Sequence, residues 1–113
     1  MVLIITSAGL GFAIGLNELR SSLNEGVSAS EEAVNITRSI RNREDAEEQI
    51  SSLVSLLNIA ENALLDSINY ADTHDGSLPG MDEPKVNQIK ANIRQVINKM
   101  EAFGFSVSIS GLD

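Results

Sequence analysis

The stretch that decides the fold is residues 28–72, SASEEAVNITRSIRNREDAEEQISSLVSLLNIAENALLDSINYAD, which contains neither proline nor glycine. Its apolar side chains recur at steps of three and four residues, the spacing that aligns them along one face of a helix. Ser28 and Glu31 have the spacing of a capping box, which indicates a helix start at Ser28. We therefore predict one long amphipathic helix over residues 28–72, with the other segments folded against it.

A charged patch at residues 42–45 is the weak point of this predicted helix. Arg43 and Glu47 lie on the apolar stripe, where their i,i+4 spacing suits an ion pair. About 45 helical residues would span roughly 65 Å, which is long for a chain of this size. Three interpretations stay open: a solvated patch on a continuous helix, a break into two helices near Asn42, or a charge that sets the register of a partner helix.

Two shorter helices are predicted on either side of the long one, near residues 10–24 and 84–103. Asn24, Glu25 and Gly26 indicate the end of the first helix, because glycine readily adopts the left-handed conformation of a helix cap. Gly76, Pro79 and Gly80 interrupt any helix between residues 73 and 83, so a loop is expected there.

Both ends of the chain favour short strands. Residues 1–9 are apolar, and residues 105–110 alternate between Phe105, Val107, Ile109 and serines, the pattern of a half-buried strand. If the shorter helices fold back along the long one, both ends meet near its middle and could pair as a minimal sheet. The sequence thus predicts a mainly α single domain of 113 residues, a helical hairpin or bundle with β-prone termini.

The composition excludes some functions and disfavours others. Sixteen acidic and eight basic residues give a formal net charge of −8, which disfavours binding to nucleic acids and to anionic membrane surfaces. The chain has no cysteine, so disulfides and thiolate metal sites are excluded. No basic region precedes Leu16, as a signal peptide requires, and the apolar run ends too early for a spanning helix. We expect a location in the cytoplasm or within a particle.

Residues 2–15, VLIITSAGLGFAIG, resemble the first strand and Gly-rich turn of Rossmann-type dehydrogenases. The resemblance implies that Gly9, Gly11 and Gly15 line a dinucleotide pyrophosphate. It also implies a second strand that ends in an acidic residue. This part of the pattern is not met, because residues 28–72 are predicted as helix. The alternative is that Ser7, Gly11 and Gly15, spaced at four, let a helix approach its neighbour closely. We expect no cofactor.

The loop before the last helix resembles an EF-hand calcium loop in length alone. His74 and Gly76 occupy positions that need oxygen ligands, and Ser77 replaces the required glycine. Asp72, His74, Asp75 and Asp82 would be the ligands of such a site, but we expect a solvated acidic turn without a metal. His74 is the only histidine, and no nucleophile–base pair suggests itself, so no catalytic residue is predicted.

We expect a non-enzymatic structural protein that self-associates through helical packing and its apolar ends, as subunits of virion, secretion or filament-type assemblies do. The candidate interaction residues are Val2, Ile4, Phe12, Leu16, Ile93, Val96, Phe105, Val107 and Ile109. The first alternative is a small acidic regulatory module that binds a basic protein through Glu44, Asp45, Glu47 and Glu48. The second is membrane contact by the apolar N-terminal segment.

Overall fold

The computed structural model describes residues 2–5 and 15–112, and this part of the chain forms three helices and one two-stranded sheet. The elements in chain order are β1 (Val2–Ile5), α1 (Leu16–Arg38), α2 (Arg43–Asp72), α3 (Glu83–Ala102) and β2 (Ser106–Ile109). The prediction of a mainly helical chain with three packed helices is confirmed. The last helix begins and ends within one residue of the predicted range.

The prediction of one continuous helix over residues 28–72 is wrong, because the chain turns between α1 and α2. The side chain of Asn42 caps α2 by accepting a hydrogen bond from the backbone N–H of Asp45 at 2.8 Å. The carboxylate of Asp45 in turn accepts from the N–H of Arg41 at 3.1 Å, which is a close relative of the capping box. The charged patch therefore starts a new helix, and the interpretation as a break near Asn42 is confirmed.

The predicted helix end at Gly26 is also wrong, since α1 runs through it without interruption. A Cβ atom at this position would lie 2.5 Å from the Cβ of Ala63 and 2.8 Å from the Cδ1 of Ile89. Only glycine lets α1 come this close to α2 and α3 at the same point. The close approach outweighs the unfavourable helix propensity of glycine, which is about 1 kcal/mol relative to alanine.

The first helix, α1, packs against both other helices. Near its start, Ser22 Oγ donates to Asp66 Oδ2 at 2.6 Å, close to the end of α2, so α1 and α2 run antiparallel. On its other side, Lys85 Nζ in the first turn of α3 donates to Asn24 Oδ1 at 2.8 Å, so α1 and α3 run parallel. The three helices form an up-down-up bundle in which every pair of helices is in contact, and the contact between α1 and α2 is the most extensive.

The hydrophobic core lies between the three helices and under the end of the chain. Its largest fully buried apolar side chains are Leu19, Leu23, Ile40, Leu53, Leu57, Leu64, Ile89, Ile93, Val96, Met100 and Phe105. Aliphatic residues dominate this set, as expected for a chain with 4% aromatic residues. None of the helices in the described residues is long and apolar enough to cross a membrane.

The two strands pair in parallel, with Val2 opposite Ser106 and Ile5 opposite Ile109. The pair lies against the helices, with β1 contacting α2 and β2 contacting α3. The side chains of β2 alternate between exposed serines and the half-buried Val107 and Ile109, which pack against the core. This alternation is typical of a strand with one face on the protein interior.

Candidate functional site

Three of the predicted interaction residues build the interior of the chain itself. Ile93, Val96 and Phe105 each have 0% exposed surface. In this fold they are not available to a second chain, so we assign them to the core. Their apolar spacing predicted burial but could not distinguish burial within one chain from burial between two chains.

The other predicted interaction residues lie at the margin of the core, in β1 or outside the described residues. Leu16, Val107 and Ile109 are partly buried and pack against the core. Val2 and Ile4 belong to β1, the strand that pairs with β2. Phe12 lies outside the described residues, as do Ser7, Gly9 and Gly11 of the predicted Gly-rich turn.

The sheet edges are one feature that other molecules could use. The sheet has two strands, so each strand has one strand neighbour and, within the described residues, a second edge without one. The sequence of β1, VLII, is entirely apolar and β-branched at three of four positions. An apolar edge strand of this kind is a template for pairing with another chain.

A second feature is a groove between α1 and α2, here named the α1–α2 groove. A depression of about 520 Å³ is lined by Asn24, Glu25, Ser28, Ala29, Glu32, Leu56 and Ile59. A neighbouring depression of about 400 Å³ continues it toward the other end of α1, and it is lined by Glu32, Ile36, Ser51, Ser52, Ser55 and Leu56. Glu32 and Leu56 line both depressions, which makes the groove continuous.

The α1–α2 groove combines an apolar floor with an acidic rim. Ile59 has 41% of its surface exposed, which makes it one of three large apolar side chains with high exposure among the described residues. The exposed Glu25 and Glu32 come from α1, and no lysine or arginine lines either depression. Within residues 15–112, the ion pairs are Arg20 with Asp82 and Arg43 with Glu47. Neither Glu25 nor Glu32 therefore has a cation within 4 Å.

Glu61 is a buried carboxylate that the sequence did not distinguish from its exposed neighbours. It has 0% exposed surface, and its Oε2 accepts a hydrogen bond from the backbone N–H of Ser110 at 2.8 Å. Its Oε1 has no partner among the described residues, and neither does the buried Oδ1 of Asn58 one turn earlier. Glu61 therefore fixes the end of the chain to α2. Glu61 lies four residues after Leu57 and three before Leu64, both buried, so helical spacing places it on the same side of α2.

A second buried carboxylate, Asp82, lies at the start of α3. Its Oδ2 is 3.4 Å from the Nε of Arg20 on α1, which makes a partly buried contact between the two helices. Its Oδ1 has no partner among the described residues. The contact aligns α1 with α3, and no nucleophile lies beside it in the described contacts.

The only histidine, His74, contacts Tyr70 and Thr73 at the end of α2. The ring of His74 stacks on that of Tyr70, with 3.8 Å between centroids, and its Nδ1 is 2.8 Å from the backbone oxygen of Tyr70. These contacts close the end of α2. Among the described residues, no group of three or more histidine, aspartate or glutamate side chains could hold a metal ion.

No protein-family model, no curated protein and no solved structure matches this chain. The sheet edge, the α1–α2 groove and the charges of the chain are therefore the features that bear on its function.

Proposed function

We propose that this chain is a non-enzymatic structural protein that associates with further copies of itself through the outer edge of β1. The observation that carries the proposal is an apolar strand with one edge unpaired in the described residues. Subunits of virion, secretion or filament-type assemblies have this kind of role.

The energetics of small sheets support this proposal. Two strands are marginally stable alone and gain stability when more strands or a helix cover them. Here β1 contacts α2 and β2 contacts α3, while the outer backbone groups of β1 still lack a strand partner within the described residues. Pairing of β1 with β1 of a second copy would create a four-stranded sheet around a two-fold axis, the commonest symmetry of homo-oligomers.

The charge of the chain predicts how this association depends on salt. Two copies that each carry −8 repel each other at low ionic strength. Added salt screens that repulsion, while backbone hydrogen bonds and apolar contacts are affected little. Association through β1 should therefore strengthen between low and physiological salt.

Proline substitutions in β1 test the proposal. Successive N–H groups of a strand point to opposite edges, so Leu3→Pro and Ile4→Pro remove donors from opposite edges of β1. The proline that removes a donor to β2 should lower the melting temperature of the protein. The other proline, which removes a donor from the outer edge of β1, should leave the melting temperature nearly constant. It should also reduce the mass measured by light scattering to that of one chain. A wild-type protein with the mass of one chain from micromolar to millimolar concentration would refute self-association.

A further inference from the structure

We propose that the α1–α2 groove is a docking site for a basic amphipathic helix of another protein. This interaction uses a different surface from β1, so it does not depend on self-association. A helix that lays its apolar side into a groove is a common mode of peptide recognition. The floor, the rim and the length of the groove each specify one property of the occupant.

The floor of the groove specifies an apolar side on the occupant. Leu56 is half-buried and Ile59 is exposed, although both belong to a helix whose other apolar residues mostly face the core. Ala29 lines the groove from α1, and its small side chain leaves room for large side chains to enter. Leucine or similar side chains of an incoming helix would bury this apolar surface.

The rim of the groove specifies positive charge on the occupant. Glu25 and Glu32 are seven residues apart on α1, which is two helical turns or about 10 Å along the axis. Neither has a cation within 4 Å in residues 15–112, and the groove lining contains no basic residue. Lysine or arginine side chains on both flanks of an apolar stripe would meet these two carboxylates.

A second copy of this chain does not fit the requirement. The helix richest in basic residues is α3, and its apolar side is buried in its own core. Three of its cations already have neutral partners in the same chain: Lys85 contacts Asn24, Arg94 contacts Leu112 and Lys99 lies over Phe103. The net charge of −8 on each copy adds repulsion, so charge complementarity favours a basic partner.

The length of the groove sets the size of the occupant. Its lining runs along α1 from Asn24 to Ile36, a distance of about 18 Å at 1.5 Å per residue. A helix of about twelve residues, or three turns, spans that distance. The site therefore suits a single short amphipathic helix.

The test uses a fluorescein-labelled 18-residue helical peptide of leucine and lysine, with leucines at i, i+3, i+4 and i+7 and lysines elsewhere. Binding is followed by fluorescence anisotropy against the wild-type chain and two charge-matched double variants. Glu25→Lys with Glu32→Lys changes the rim of the groove. Glu31→Lys with Glu48→Lys makes the same change in net charge at exposed positions outside the groove.

We expect the rim variant to weaken peptide binding at least tenfold, and the control variant less than threefold. A peptide of the same composition in scrambled order, without an apolar side, should bind at least tenfold more weakly than the amphipathic one. Because all four glutamates are exposed, circular dichroism should show unchanged folding in both variants.

Two results would overturn the proposal. Equal weakening by the two double variants would show attraction to the net charge alone. Equal binding of the scrambled and amphipathic peptides would show that the apolar floor is not used. Backbone amide shifts in an NMR titration give an independent check, since they should cluster at residues 24–36 and 51–59 and spare β2.

Discussion

Replacement of Gly26 by alanine should destabilise the protein, although alanine is the better helix former. The added Cβ would lie 2.5 Å from the Cβ of Ala63, whereas carbon atoms in contact normally lie about 3.5–4.0 Å apart. The Cβ of Ala63 is fixed to its backbone, so α1 and α2 must move apart locally. The contact with Ile89 at 2.8 Å is easier to relieve, because Cδ1 is the far end of a flexible side chain.

The expected magnitude is the difference of two effects. Overpacking of a well-packed interior costs about 1–3 kcal/mol, and we take the upper half of that range because a rigid atom is involved. The better helix propensity of alanine offsets about 1 kcal/mol. The free energy of unfolding should therefore fall by about 1–2 kcal/mol, which lowers the melting temperature of a domain of this size by roughly 4–10 °C.

Urea unfolding followed by circular dichroism at 222 nm measures this change. Gly80→Ala is the control, since a Cβ there meets nothing within 4 Å and the residue does not require a positive φ. Combining Gly26→Ala with Ala63→Gly should recover part of the loss, giving a favourable coupling energy of about 1 kcal/mol. A Gly26→Ala protein that is more stable than wild type would refute the close approach of α1 and α2.

Three further changes test separate parts of the fold. Asn42→Ala should lower the free energy of unfolding by about 1 kcal/mol in urea titrations, because the cap of α2 is lost; equal stability would mean that the turn before α2 is held by other contacts. Ile93→Asp should abolish a cooperative thermal transition, since a buried unpaired carboxylate costs several kcal/mol; an unchanged melting temperature would place Ile93 at the surface. Deletion of residues 105–113 should lower the melting temperature and the solubility, because the burial of Phe105 alone contributes about 1.5–3 kcal/mol; a truncated chain with the stability of wild type would show that the end of the chain is not part of the core.

The sequence-based prediction was most accurate for α3, because the ends of this helix coincide with the ends of its apolar pattern. For α3, the acidic residues and Pro84 at the start and Gly104 at the end agree with the spacing of the apolar residues between them. For α1 and α2, local and tertiary effects conflict. Gly26 is locally a helix terminator, and its role in α1 depends on Ala63, which is 37 residues away in sequence. Spacing within one helix contains no information about such a contact.

The turn between α1 and α2 was one of three open interpretations, and for a different reason the sequence did not select it. Residues 39–42 contain neither glycine nor proline, and the apolar spacing continues through Ile40. The signal that was present is Asn42 followed three residues later by Asp45, which satisfies the backbone groups at a helix start. Ile40 is nevertheless buried, so the apolar pattern reported its burial correctly and its secondary structure incorrectly.

Surface features were harder to predict than the core. The apolar run at the start of the chain predicted the β1 strand. The α1–α2 groove joins Glu25 and Glu32 to Leu56 and Ile59 across a turn that was only one of three interpretations of the sequence. Once α1 and α2 are separate and antiparallel, residues about 30 positions apart become neighbours. The close contact at Gly26 holds these helices at a short distance, so the width of the groove and the stability of the core depend on the same residue.

Glu61 offers the last test, because a neutral amide should suit its site better than a carboxylate. Oε1 of Glu61 and Oδ1 of Asn58 are both buried acceptors without a partner in the described residues, and they are three positions apart on α2. Glu61→Gln retains an oxygen that can accept from the N–H of Ser110 and adds an NH₂ group that can donate to Asn58. Since a net hydrogen bond contributes about 0.5–1.5 kcal/mol, the free energy of unfolding should rise by about 1 kcal/mol. Glu61→Ala, which removes the acceptor and leaves a cavity, should lower it by about 1–3 kcal/mol in the same urea titration. If the glutamine variant loses as much stability as the alanine variant, the negative charge itself stabilises the fold, and a donor or cation beyond the described contacts must pair with Oε1.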